Sequence, residues 1–472
     1  MGAGYWKLGA ADLSAAYRDG RADPILVIDE LERRIAALNP RINAYVALAG
    51  DLGAQAEASQ RRWRAGQPLS PLDGVPVAVK DNLNVAGLPT TWGGHTFDDI
   101  PDTDELPVAR LRAAGAILVG KTNTPEFAVE GYTANARYGV TRNPWDLALT
   151  PGGSSGGSVA AVSAGLATLA IGTDGGGSTR RPAGHTGLFG LKPTIGQIPR
   201  GGGLPQILMD FEVIGTFVRD PGDLHLLHDI LAGPDRGDPM SRRVWPTGDD
   251  PQSLRVLSVP LLDDNPCDPE ILSSTRALAR QLSDLGHHVV EGALPLDLEA
   301  VNAFWGGFAQ VGLAHIRATV PRMRSQSSQQ YLDMADGGDA LQARELFAAI
   351  EAVQRLRADT SRLFKHWDVI LMPTAAAQPW PAEQSHPEVI DGKPVGPRGH
   401  AIYTGWVNAS GHPGLAVPAG VDRAGLPIGC QLIGDLGSDA SLMRLAAALA
   451  AEGEGWQWPA LADTSADRVQ SE

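Results

Sequence analysis

The chain has 472 residues, 43% hydrophobic and 20% charged, enough to bury one oversized core or two ordinary ones. A formal net charge of −15 with no basic tract argues against nucleic acid, whose phosphates demand clustered cations. Two cysteines, Cys267 and Cys430, are too few for a disulfide framework or a four-ligand zinc site, so a reducing, cytoplasmic compartment is expected.

The opening residues lack the apolar stretch of a secretory signal, and Trp6 stands where a myristoylation signal wants Ser or Thr. No run of 18 apolar residues occurs, so no membrane span is expected. Within 11–38, Leu13, Ala16, Ile25, Ile28, Leu31 and Ile35 recur at helical spacing and predict two amphipathic helices. VPVAVK (75–80) reads as a short buried strand ending in the charge of Lys80. Residues 106–123 read as a helix stopped by Gly115 and followed by the strand AILVG, and 156–173 as a helix, Gly165 and a strand. This alternation predicts an α/β sandwich around a buried, largely parallel sheet.

Residues 233–253 form a polar, turn-rich connection, whose Arg236-Gly237-Asp238 triplet is read as chance. The runs 253–262 and 287–296 flank a helix and predict a further βαβ unit. Residues 298–366 read as mostly helical, 373–400 as a Pro-rich loop, and 462–472 as a frayed tail. One domain, 1–472, is expected, with the chemistry within about 70–220 and a substrate-side region over about 298–400.

The chemistry-bearing stretch runs from Thr150 to Thr194. It holds two Gly-Ser clusters, GGSSGGS (152–158) and DGGGS (174–178). Successive glycine N–H groups beside the Ser178 hydroxyl suit an acyl-transfer site, which needs donors aimed at a developing oxyanion. A serine needs a base. His95 and His185 lack an orienting carboxylate pattern, whereas Lys80 ends an apolar run where burial disfavours its charge. A buried lysine beside two serines makes a Ser-Lys relay.

Taken in order, DGVPVAVKDN, GKTNTPEFA, GGSSGGS, GTDGGGSTRRPA, GLKPT, DVILMPT and LPIGCQLIG resemble the amidase signature family, over about residues 10–452. The resemblance implies a single large α/β/α domain, a central twisted mixed β-sheet flanked by helices. It implies an amidohydrolase cleaving a C–N amide bond through a Ser178 acyl-enzyme, with Ser154, behind a cis peptide bond, bridging Ser178 and the base Lys80. The N–H groups of Gly175, Gly176, Gly177 and Ser178 would form the oxyanion hole, with Ser155, Asp174 and Arg180 in support. Val129, Gly131 and Tyr132 would border the acyl pocket. Trp305, in a stripe with Phe304 and Phe308, reads as core or as pocket wall. The family often carries a side chain where Gly175 stands, which predicts a looser loop.

The expected substrate is a small-molecule amide, anilide or carbamate, uncharged and aryl by preference, with no cofactor and no metal, in a monomer or homodimer. Three rivals stand beside this reading. Gly152-Gly153-Ser154-Ser155-Gly156 matches the G-x-S-x-G elbow of an esterase using Ser154, but Pro151 breaks the strand that an elbow must follow. A glutamine-hydrolysing amidotransferase subunit would need a carboxylate just before VNASGHP, and 399–414 has no Asp or Glu. A binding protein on the same scaffold is countered by the filled Lys80, Ser154 and Ser178 positions.

Overall fold

The computed structural model describes residues 4–245, 253–453 and 455–463. Eleven strands form one sheet: β1 (Tyr45–Leu48), β2 (Pro76–Lys80), β3 (Ile117–Thr122), β4 (Leu169–Asp174), β5 (Phe189–Lys192), β6 (Val213–Val218), β7 (Arg255–Ser258), β8 (His288–Glu291), β9 (Val369–Pro373), β10 (Gly414–Val421) and β11 (Pro427–Gly434). Their spatial order is β1-β3-β2-β4-β6-β5-β10-β11-β9-β7-β8.

The pairings correct the expectation of a largely parallel sheet. Parallel ladders join β3, β2 and β4 on one flank and β9, β7 and β8 on the other. Everything from β4 to β9 through the centre is antiparallel, as is β1 on β3. The hairpin β10–β11 turns too tightly for a crossover helix, so its strands must run in opposite directions.

Side-chain alternation along β2 divides the core. Val77 and Val79 enter a cluster with the helices Ala10–Arg18, Gly222–Leu231 and Asp439–Ala451. Ala78 enters the opposite cluster with Pro24–Ile42 and the short helix Gly156–Ser163. A strand repeats every two residues, so Lys80 follows Ala78 to the side of that short helix. Gly115 and Gly165, both at positive φ, stop helices as expected.

The helical region resolves into Glu299–Thr319, Met323–Gln326, Gln329–Ala340 and Ala343–Leu363, and the Pro-rich loop carries a small ribbon at 389–394. Helical structure continues to Asp463, one residue past the expected start of the tail. Ala460–Asp463 forms a helical turn, Ala462 is buried, and its carbonyl accepts from Arg34. The rest of the predicted tail, 464–472, lies outside the described residues, as does 246–252 of the polar connection. Both cysteines are buried free thiols. No helix of the described residues is long and apolar enough to cross a membrane.

Candidate active site

Lys80 is wholly buried at the end of β2. Its Nζ donates to Ser154 Oγ at 2.8 Å and to Thr173 Oγ1 at 3.1 Å. Its stem needs Gly172 on the neighbouring strand: a Cβ there would stand 3.3 Å from Lys80 Cδ and 2.9 Å from Ser155 Oγ. Burial drives the amine's pKa down from 10.5 to about 7, against the pull of Glu212 and Asp174, while Arg200 and Arg181 push it lower. Close to neutral pH the amine is therefore divided between its two protonation states.

Ser154 lies just before the helix Gly156–Ser163 and follows a cis peptide bond from Gly153. Ser155 donates to the Thr173 carbonyl at 3.3 Å, tying the same loop to β4. No strand precedes this loop within residues 141–153, so the elbow geometry of the esterase reading is absent. His185 is buried, its Nε2 lies 3.2 Å from the Ala377 carbonyl, and its Nδ1 has no partner. Burial holds its pKa down at about 4, and it faces no carboxylate that would make it a base.

Ser178 sits in the turn between β4 and the helix Arg180–Thr186. At 7% exposure it is more accessible than Lys80 or Ser154. Asp174 organises this turn. Its carboxylate accepts from the N–H of Gly177 at 2.5 Å and of Thr179 at 3.0 Å, and pairs with Arg180 at 3.1 Å. Burial opposes the Asp174 charge, but Arg180 and the surrounding donors outweigh it and hold the carboxyl well below its ordinary range. Arg180 also reaches Gln431 Oε1 at 2.8 Å and the Asn408 side chain.

The Gly177 N–H is thus committed to Asp174. Among the hydrogen bonds of the described residues, none uses the N–H of Gly175, Gly176 or Ser178. The expected looseness at Gly175 is met by packing: a Cβ there would lie 2.6 Å from Leu208 Cδ1.

The pocket candidates divide. A Cβ on Gly176 would lie 2.9 Å from Trp305 Cζ2, so the indole edge rests on the Ser178 turn. Tyr132 presents its backbone to Gly153, and Gly131 lies against the His400 ring, where a Cβ would come within 2.3 Å. Val129 instead joins the aromatic cluster of Trp92, Phe127 and Tyr331, and Phe308 is core.

Sequence reasoning missed the groups that hold these pieces together. Arg181 donates to the Gly176 carbonyl and, at 3.4 Å, to the Gly153 carbonyl, joining the two serine loops. Thr404 Oγ1 donates to the Gly176 carbonyl at 2.8 Å, and Asn408 Nδ2 to the Asp174 carbonyl at 2.8 Å. A buried chain runs from Lys80 through Thr173, Asn82 and Glu212 to Arg200 and Glu105. The doubled Arg180-Arg181 was the one local signal of any of this. No group of three or more His, Cys, Asp or Glu able to hold a metal ion occurs among the described residues.

A buried lysine hydrogen-bonded to a serine, beside a glycine-rich turn carrying a second serine, defines a hydrolase of the amidase signature type. The chain belongs to that family: the Amidase family model matches residues 27–443. It is similar to an acylamidase from Rhodococcus erythropolis, 34% identical over 94% of each chain. It is also similar to a glutamyl-tRNA(Gln) amidotransferase subunit of Synechococcus sp. (strain CC9605), 34% identical over 89% of this chain and 91% of that one. Among solved structures, a bacterial aryl acylamidase of the family matches with a TM-score of 0.87 at 27% identity, covering 97% of this chain and 98% of that one. The substrate complex of 6-aminohexanoate cyclic dimer hydrolase matches at 0.86 and 27% identity, over 98% and 100%. The protein is an enzyme that hydrolyses C–N amide bonds.

Proposed function

We propose that the enzyme cleaves small-molecule amides, anilides or carbamates in two steps through an acyl-enzyme on Ser178. The observation that carries this reading is the wholly buried Lys80 amine 2.8 Å from Ser154 Oγ, with its pKa near 7. Neutral Lys80 takes the Ser154 proton while Ser154 takes that of Ser178, and the Ser178 oxygen attacks the substrate carbonyl. The oxyanion meets the N–H groups of Gly175, Gly176 and Ser178. The proton returns through Ser154 to the departing amine, and water, activated along the same relay, releases the acid.

Reaction with a fluorophosphonate probe tests the assignment. An adduct mapped to Ser178, abolished in S178A together with a roughly 10⁶-fold loss of kcat, is expected. An adduct on Ser154 that survives in S178A would overturn it. Cytoplasmic localisation and a monomeric or homodimeric state belong to the same proposal.

The similarity to amidotransferase subunits keeps glutamine hydrolysis as a second reading. Near the site, the 399–414 segment supplies Thr404 and Asn408, and both are bonded to the nucleophile turn. No ammonia release from glutamine by the purified chain is the expected result.

A further inference from the structure

Two guanidinium groups stand near the Ser178 turn with no carboxylate in an ion pair with them among the described residues. Arg181, 6% exposed, gives its bonds to neutral acceptors only: the Gly176 carbonyl, Thr404 Oγ1 at 2.9 Å and the Gly153 carbonyl at 3.4 Å. Its Nε is buried without any partner. Asp174, the carboxylate that acts on it electrostatically, is paired with Arg180.

Arg398, from the Pro-rich loop, lies over the Trp305 ring with its Cζ 4.9 Å from the centroid. The edge of that indole rests on Gly176, so one ring separates the guanidinium from the nucleophile turn. Neither arginine takes part in an ion pair among the described residues. The pKa of Arg181 is held down at about 10 by burial, with Asp174 opposing.

Stacking occupies a guanidinium's face and leaves its in-plane donors free. That fork matches a carboxylate in two parallel hydrogen bonds. Arg181 is buried and Arg398 is exposed, and two cations without an ion-pair partner create a positive potential that an anion relieves. The partly buried Glu130 interacts electrostatically with His386, Tyr132 and Tyr331.

We propose that Arg398, backed by Arg181, is a specificity-determining residue that recognises a carboxylate on the substrate, remote from the scissile amide. The inference rests on the Ser178 site proposed above and replaces an uncharged substrate with an anionic one.

Three anilides of matched length test it: N-phenylglutaramic acid, its methyl ester, and the corresponding 5-amino anilide. The acid is expected to have the highest kcat/KM, with its advantage over the ester shrinking as salt rises. R398Q is expected to cut the acid-to-ester ratio by tenfold or more, and R398K to restore part of it. Titration of the acid into S178A and S178A/R398Q reads binding without turnover, with a tenfold or greater weakening expected. Equal affinities in those two proteins, an unchanged ratio in R398Q, or preference for the ester or the amine would overturn the proposal. No turnover of any anilide by the wild type, with the binding difference intact, would instead overturn the Ser178 reading alone.

Discussion

Lys80 shows what a single side chain contributes when its surroundings deny it water. Its depressed pKa means that the neutral, proton-accepting form grows as pH rises through about 7. The kcat/KM profile is therefore expected to climb on the acid limb and level off above it, and a flat limb would count against a lysine base. The same shift destabilises the fold. Between pH 7 and 10.5 the unfolded chain holds the lysine proton and the folded chain does not, so stability rises with pH across that window. K80M is expected to be inactive, with activity down by about 10²- to 10⁴-fold or more, yet to melt no lower than the wild type at pH 6. Calorimetry at pH 6 and pH 9 checks the sign, since any gain should shrink as pH rises. Lys80, Ser154 and Ser178 were legible in the sequence because each sits in a run of unusual composition: a charge closing VPVAV, or serines among glycines. Thr173, which also holds the Lys80 amine, was not, because a threonine near the end of an apolar strand looks ordinary.

Between single residues and the whole chain, the loops that cross the end of the sheet decide how the serines are presented. The segment after β5 brings Arg200 between Glu105 and Glu212, at 3.0 and 2.6 Å, all three buried. R200M leaves two buried carboxylates without their cation and is expected to lower stability by about 3–5 kcal/mol in urea titration. It also removes a charge that pushes the Lys80 pKa down, so the acid limb of the surviving activity should move to higher pH. The helix Gly405–Ser410 and the residue before it act differently, since the Thr404 hydroxyl donates to the Gly176 carbonyl and accepts from Arg181, with no buried charge of its own. T404V is expected to lower kcat more than KM, as a loosened oxyanion turn would. The helices and strands around Gly115 and Gly165 were readable from local periodicity and stop signals. The ties from Thr404, Asn408 and Gln431 were not, because their partners lie more than 200 residues away in sequence.

Across the whole molecule, the mixed sheet that the family resemblance implied is found, while the reading from helix–strand alternation as largely parallel is not. Continuous apolar strands alternating with helices read as parallel, yet the middle of the sheet is antiparallel. Burial on both faces produces the same apolar runs in either direction, so composition alone could not separate them. Residues near the two ends of the described chain meet. Trp6 and Trp458 pack edge to face at 4.5 Å, and Arg219 lies over the Trp458 ring. W458A should cost about 1–3 kcal/mol of stability while leaving kcat/KM unaltered at room temperature, because it touches no part of the Ser178 turn. The buried thiols have a practical consequence of their own. Cys430 lies on a central strand and Cys267 under the helical cover, and burial pushes both up to about 12. A thiol reagent therefore acts as a clock for transient opening of the native enzyme: labelling at Cys267 before Cys430 would time the parting of the cover, and simultaneous labelling would time global unfolding.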